Sequence, residues 1–149
     1  MATTISNATL TVTVNEDVKL NGNQVGSKVV QKITNVNEAS RRVMTIPASE
    51  TSILTLSSSA ASGGYVTANL QYIRITNLDD TNFVRLTFAS GSLNKFDMKL
   101  PANRSAIFTS PSISGSAGGA GFNAFSNFDT LQATADTAAV DIELFVAST

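Results

Sequence analysis

Gln71-Tyr72-Ile73-Arg74-Ile75-Thr76, then Asn77-Leu78-Asp79-Asp80-Thr81-Asn82, then Phe83-Val84-Arg85-Leu86-Thr87-Phe88, is the stretch that decides the fold class. Ile73 and Ile75 alternate with Arg74 and Thr76, and Val84, Leu86 and Phe88 alternate with Arg85 and Thr87. A period of two places one set toward a core and the other toward solvent, which is the signature of a half-buried strand. The Asn and Asp residues between the runs suit a turn, because their side chains bond nearby backbone and tolerate left-handed dihedrals. A turn symmetric about Asp79-Asp80 predicts a hairpin. In it Ile75 faces Val84 and Ile73 faces Leu86, so every paired apolar residue points to one side.

The same alternation recurs in both directions. Residues 9–14 read T-L-T-V-T-V, with Leu10, Val12 and Val14 on one face and threonines on the other. Asn21-Gly22-Asn23 supplies a turn, and residues 28–34 give a second strand. Residues 35–40 are polar and read as a loop or one short helical turn. Residues 42–46 and 52–56 read as strands around Pro47, which breaks pairing. Phe96, Met98 and Leu100 alternate with Asp97 and Lys99, and Leu100-Pro101-Ala102-Asn103 predicts a type I turn. Residues 104–109, the run through Leu131, Ala133 and Ala135, and the run through Ile142, Leu144 and Val146 complete the set. About eight to ten short strands with regularly spaced turns predict an all-β fold, an antiparallel β-sandwich of jelly-roll-like type. Residues 1–149 read as one sandwich domain, with residues 1–35 as an extended N-terminal arm or hairpin.

Composition narrows the chemistry. Histidine and cysteine are absent from the 149 residues. That removes Ser-His and thiolate nucleophiles, imidazole and thiolate metal sites, and any disulfide. The reading is therefore of no enzyme, with no catalytic residue, metal or cofactor. Net charge is −1 and charged residues are 14% of the chain, against about 25% in an ordinary domain. Nucleic-acid binding needs clustered Lys and Arg and is not expected. No apolar run reaches the length of a membrane span, and Met1-Ala2-Thr3-Thr4-Ile5-Ser6 has no signal-peptide character. Asp79-Asp80 lacks the calcium-loop pattern and reads as a solvated turn. Residues 114–121, Ser-Gly-Ser-Ala-Gly-Gly-Ala-Gly, lack the Gly-Lys-Ser/Thr of a phosphate loop and read as a flexible connection.

Five residues stand out as partner-interface candidates. In the predicted hairpin Arg74 lies opposite Arg85 on the non-core face, and like charges across a strand pair are destabilising. Either solvent or an acidic side chain of the same chain relieves them, or the surface of a partner subunit does. Phe122, Phe125 and Phe128 follow the glycine-rich stretch at a spacing of three, which does not fit a strand. They read either as pins of that loop onto the core or as anchors for a neighbouring subunit.

Residues 72–86 resemble a pattern found in small structural proteins of tailed bacteriophages. So do the Phe-x-Met-x-Leu-Pro of residues 96–101 and the Ala-Asp-Thr-Ala-Ala-Val-Asp-Ile-Glu-Leu of residues 135–144. The resemblance covers about the second half of the chain. It implies a β-sandwich protein of the virion, assembled in host cytoplasm. The resulting expectation is a capsid decoration or cement protein that bridges subunits of the major capsid protein and associates with itself, trimers being one option. The alternatives are a neck, tail or fibre component, or a carbohydrate-binding adhesin module.

Overall fold

The computed structural model describes residues 6–60, 63–90, 94–109 and 128–149. Its strands are β1 (Ala8–Asn15), β2 (Lys19–Leu20), β3 (Asn23–Gln24), β4 (Lys28–Val36), β5 (Glu38–Ile46), β6 (Thr51–Ser57), β7 (Tyr65–Val66), β8 (Leu70–Asn77), β9 (Val84–Ser90), β10 (Asn94–Leu100), β11 (Ser105–Phe108), β12 (Thr130–Ala135) and β13 (Val140–Ser148). Two sheets face each other, one in the order β11-β8-β13-β5 and the other in the order β10-β9-β12-β6-β7. Apart from the short parallel β6–β7 contact, their pairings are antiparallel. Leaving β7 aside, successive strands divide between the sheets in the order of an eight-stranded jelly roll.

The core lies between the inner faces that the alternation marks out. Ile73, Ile75, Val84, Leu86, Leu131, Ala133, Ile142, Leu144 and Val146 are each at most 2% exposed. Each large aliphatic among them contributes roughly 1.5–3 kcal/mol by leaving water. The expected sandwich is therefore present, with faces as the period of two predicts.

The pairing of residues 71–88 differs from the expected hairpin. β8 and β9 lie in opposite sheets, so Ile75 does not pair with Val84, nor Ile73 with Leu86. The six residues between them form an arch across the sandwich. Asp79 Oδ1 accepts the backbone N–H groups of Thr81 (2.7 Å) and Asn82 (2.6 Å). The buried Asn77 amide donates to the carbonyls of Asn82 (2.9 Å) and Leu100 (3.2 Å). Asn103 N–H donates to the Asp79 carbonyl at 3.0 Å. These bonds satisfy the backbone of a crossing connection, where a hairpin would satisfy it by strand pairing. Two strands with identical in/out patterns can share a sheet or face each other across a core, and alternation does not distinguish these arrangements.

Two other local expectations change. The polar residues 35–40 are neither loop nor helical turn: β4 runs almost directly into β5 past Asn37, whose N–H reaches the Ser148 carbonyl at 3.1 Å. The bend is taken up by Asn35 at φ 62°. The turn after β10 is centred on Ala102-Asn103, with Asn103 at φ 55°, which a type I turn does not contain.

Before the sandwich comes a long ribbon. β1 pairs antiparallel with β4 from Leu10↔Ile33 to Asn15↔Lys28. The Glu16 N–H to Ser27 carbonyl bond and the Val25 N–H to Val18 carbonyl bond carry the ribbon on to β2 and β3. Asn21 and Gly22, at φ 50° and 85°, close the tip. Asn-Gly is the pair that a two-residue turn with both φ positive demands. At roughly 14 residues per side the ribbon is about 45 Å long, about twice the length of a sandwich strand.

Candidate interaction surfaces

The base of the ribbon lies on the outer face of the β11-β8-β13-β5 sheet. Leu10, Val12, Ile33 and Val36 pack there against Tyr72, Phe145 and Ala147. The rings of Tyr72 and Phe145 meet edge to face at 5.8 Å. Gln31 Nε2 donates to the Thr109 carbonyl at 3.4 Å, just beyond the β11 edge. Farther out the ribbon leaves the body. From residue 13 to residue 30 every position is exposed except half-buried Gly26. Val14, Val18, Leu20, Val25, Val29 and Val30 are 42–61% exposed. Beside β1 runs an open trough of about 330 Å³ between residues 10–14 and a floor of Tyr72, Arg74, Ile107 and Phe145. The expectation of a half-buried strand at residues 9–14, within an arm or hairpin over residues 1–35, gave no sign of how far the ribbon would project with both faces in water.

Arg74 and Arg85 do not confront each other, because their strands lie in different sheets. Arg74 on β8 stands across from Ile107 and Phe145. Its Nη2 reaches Glu143 Oε1 at 2.5 Å, and its Nη1 donates to Thr76 Oγ1 at 2.7 Å. Arg41 Nε donates to the other Glu143 oxygen at 2.6 Å. Glu143 is thus held between two guanidinium groups on one sheet face, its side chain only 10% exposed. The hydrogen bonds from Arg41, then those from Arg74, hold its carboxyl below the ordinary carboxylate range. The like-charge pair that does exist is Arg85 opposite Lys99. Asp97 relieves it from the neighbouring position, 3.4 Å from Arg85, and the Lys99 ammonium sits 4.2 Å from the centre of the Phe83 ring. Both arginines are therefore balanced inside the chain, and neither is left needing a partner's acid. Glu143 was the residue missed, since its distance of 69 positions from Arg74 leaves no trace in local spacing.

Phe128 is a core residue, 4% exposed. Its ring meets Phe88 at 5.8 Å and Phe96 at 5.5 Å, both edge to face. It serves as a pin to the core and is not available to anchor a neighbour. Phe122 and Phe125 lie outside the described residues.

On the opposite face a shallow groove of about 470 Å³ is bordered by Glu50, Arg85, Asp97 and Asp136. Asp97 is engaged by Thr87 (2.7 Å) and Arg85. Among the described residues no group of three or more acidic side chains is placed to hold a metal ion. The two tyrosines that a sugar platform would need, Tyr65 and Tyr72, are 7% and 5% exposed.

No protein-family model matches the chain, and no curated protein matches it. Among solved structures, a chain from Bacillus endospore appendages, described as a novel family of disulfide-linked pili, aligns with a TM-score of 0.46 at 16% identity. The alignment covers 75% of this chain and 85% of that one. The likeness is too slight to carry a function across.

Proposed function

We propose that this chain is a non-enzymatic structural protein of a virion, of the capsid decoration or cement type, that works by holding protein surfaces together. The observation that carries the reading is the ribbon: a strand pair leaves a rigid body with six aliphatic side chains about half in water. Exposed aliphatic side chains gathered along one projecting element support a contact role for it. The resemblance of the second half to small tailed-phage structural proteins points to a virion. The jelly roll is a fold that viral capsid domains use, which is support by analogy only. Burial of Tyr65 and Tyr72 weighs against the sugar-binding alternative.

The test is co-sedimentation of the purified chain with empty, expanded phage heads, using intact protein and protein lacking residues 1–36. Saturable binding by the intact chain, lost on deletion, is expected. Equal binding by both forms removes the ribbon from the account. Failure of the intact chain to bind, together with its detection in tail or fibre density, overturns the decoration role.

A further inference from the structure

The ribbon is tied to the body by very little main chain. β1 and β4 pair with each other and with neither sandwich sheet. Asn37 alone separates β4 from β5. Among the described residues its N–H to the Ser148 carbonyl is the one backbone hydrogen bond between ribbon and body. Everything farther along is side-chain contact: Leu10, Val12, Ile33 and Val36 on Tyr72, Phe145 and Ala147, with the Gln31 amide on the Thr109 carbonyl. β4 thus crosses the outer face of its sheet from the β11 edge to the start of β5, where the chain bends to enter the sheet. The bend holds the exposed Asn35 at φ 62°, a left-handed conformation that L-residues other than asparagine rarely accept. A seat made of side chains, next to a short and bent connection, is the arrangement that invites exchange of an element between copies.

We propose that the ribbon is exchanged between two copies of this chain, each ribbon leaving its own body and taking the same seat, Tyr72, Phe145 and Ala147, on the other. The fold itself specifies the occupant, because ribbon and seat already fit each other within one chain. An opened ribbon bares Leu10, Val12, Ile33 and Val36 and uncovers the seat. A second copy offers both complements at once. Every side-chain contact of the closed form is remade, so the two forms differ in the hinge and in the cost of association. An extended Asn35 favours exchange, while the lost freedom of two chains opposes it. The one-residue tether also gives the chain's own seat a high effective concentration. Exchange is therefore expected when chains are crowded.

Both bodies have room in this arrangement. Straightening residues 35–37 carries the chain off past the β5 edge, so each body begins where the β4 seated on the other one ends. The bodies meet at the corner of Asn37, Glu38 and Ser148, and each seat receives a single ribbon. The open edge of β1 plays no part. The outer half of each ribbon stays free for the contact proposed above.

The inference deepens the structural role proposed above, since exchanged ribbons would staple neighbouring copies together, but its test uses purified protein without phage heads. Absence of exchange would leave head binding open, and absence of head binding would leave exchange standing. The intact chain, refolded at high concentration, should show a dimer beside the monomer in sedimentation velocity. Asn35→Val penalises the bent hinge and suits an extended one. Because each dimer holds two hinges, it should lower the dissociation constant roughly 10- to 100-fold, with the circular-dichroism spectrum unchanged. Asn35→Gly accepts the bend freely and should favour the monomer. The chain has no cysteine, so chains carrying Val12→Cys alone and chains carrying Phe145→Cys alone can be refolded together and treated with a short bis-maleimide. Both residues line the trough, and only exchange brings the ribbon of one chain onto the seat of the other. A covalent heterodimer is expected. A chain that stays monomeric even as Asn35→Val, or a dimer in which the two cysteine chains do not cross-link, would overturn the proposal.

Discussion

Glu143 holds together a sheet face that would otherwise carry two unbalanced guanidinium groups. Its carboxylate accepts from Arg41 on one neighbouring strand and Arg74 on the other, so it ties β5, β13 and β8 laterally. Arg41 is 69% exposed and Arg74 29%, so solvent screens the arrangement, and its worth lies well below that of a fully buried triad. Glu143→Gln should cost about 1–2 kcal/mol, a fall of roughly 2–8 °C in thermal midpoint by scanning calorimetry. The pH dependence has a definite sign. A carboxyl lowered in the folded state adds stability that is complete above its unfolded value of 4.5 and is lost as pH falls through the lower folded value. The gap between wild type and Glu143→Gln should therefore be widest near neutral pH and narrow below about pH 4.5. A gap that stays constant into acid would show that the carboxylate charge is not what stabilises the face. Asn77 makes a second residue-scale case. It is 1% exposed, its amide donates to two carbonyls, and its Oδ1 accepts the Asp79 N–H. Asn77→Ala strands those groups at the start of the arch and should cost about 1–3 kcal/mol in urea unfolding.

At the scale of elements, the ribbon and the arch show what alternation does and does not encode. Residues 130–135 and 140–147 put the expected side chains inward because period two assigns faces. Partners are another matter: all inner faces meet one core, so Ile73–Ile75 and Val84–Leu86 satisfied the pattern equally well as a hairpin or as an arch. What selected the arch was Asn77 and Asp79 bonding across the connection, which local turn propensity reads only as "turn". The same limit hid Glu143, whose arginines come from distant strands, and left the charge opposite Arg85 to be found as Lys99. The ribbon was half legible. Asn21-Gly22 announced its tip, while the sequence offered nothing to say that its outer half would find no body to pack on. Within the ribbon, Gly26 is the tight point: a Cβ there would lie 1.8 Å from the Glu16 carbonyl oxygen. Gly26→Ala should loosen residues 14–30 and speed their amide exchange, while the sandwich midpoint moves by less than about 2 °C. Unchanged exchange would mean that the ribbon accommodates the methyl elsewhere.

For the whole molecule, the division of labour is between a body that supplies rigidity and a ribbon that supplies contact. Among the described residues, the main core and the side chains packed against it draw on no position before Met44. Removing residues 1–36 should therefore leave a cooperatively unfolding β protein. It would also uncover Tyr72, Phe145 and Ala147, so a lower midpoint and poorer solubility are expected. Loss of cooperative unfolding would show that the ribbon belongs to the folding unit. The most direct test of the central claim, that the ribbon is the surface through which this protein binds others, is hydrogen–deuterium exchange of the chain when free and when bound to empty phage heads. The account predicts strong slowing of the amides of residues 8–15, with the edges β5 and β10 unchanged. Protection at β5 or β10 with residues 8–15 exchanging as fast as before would contradict it.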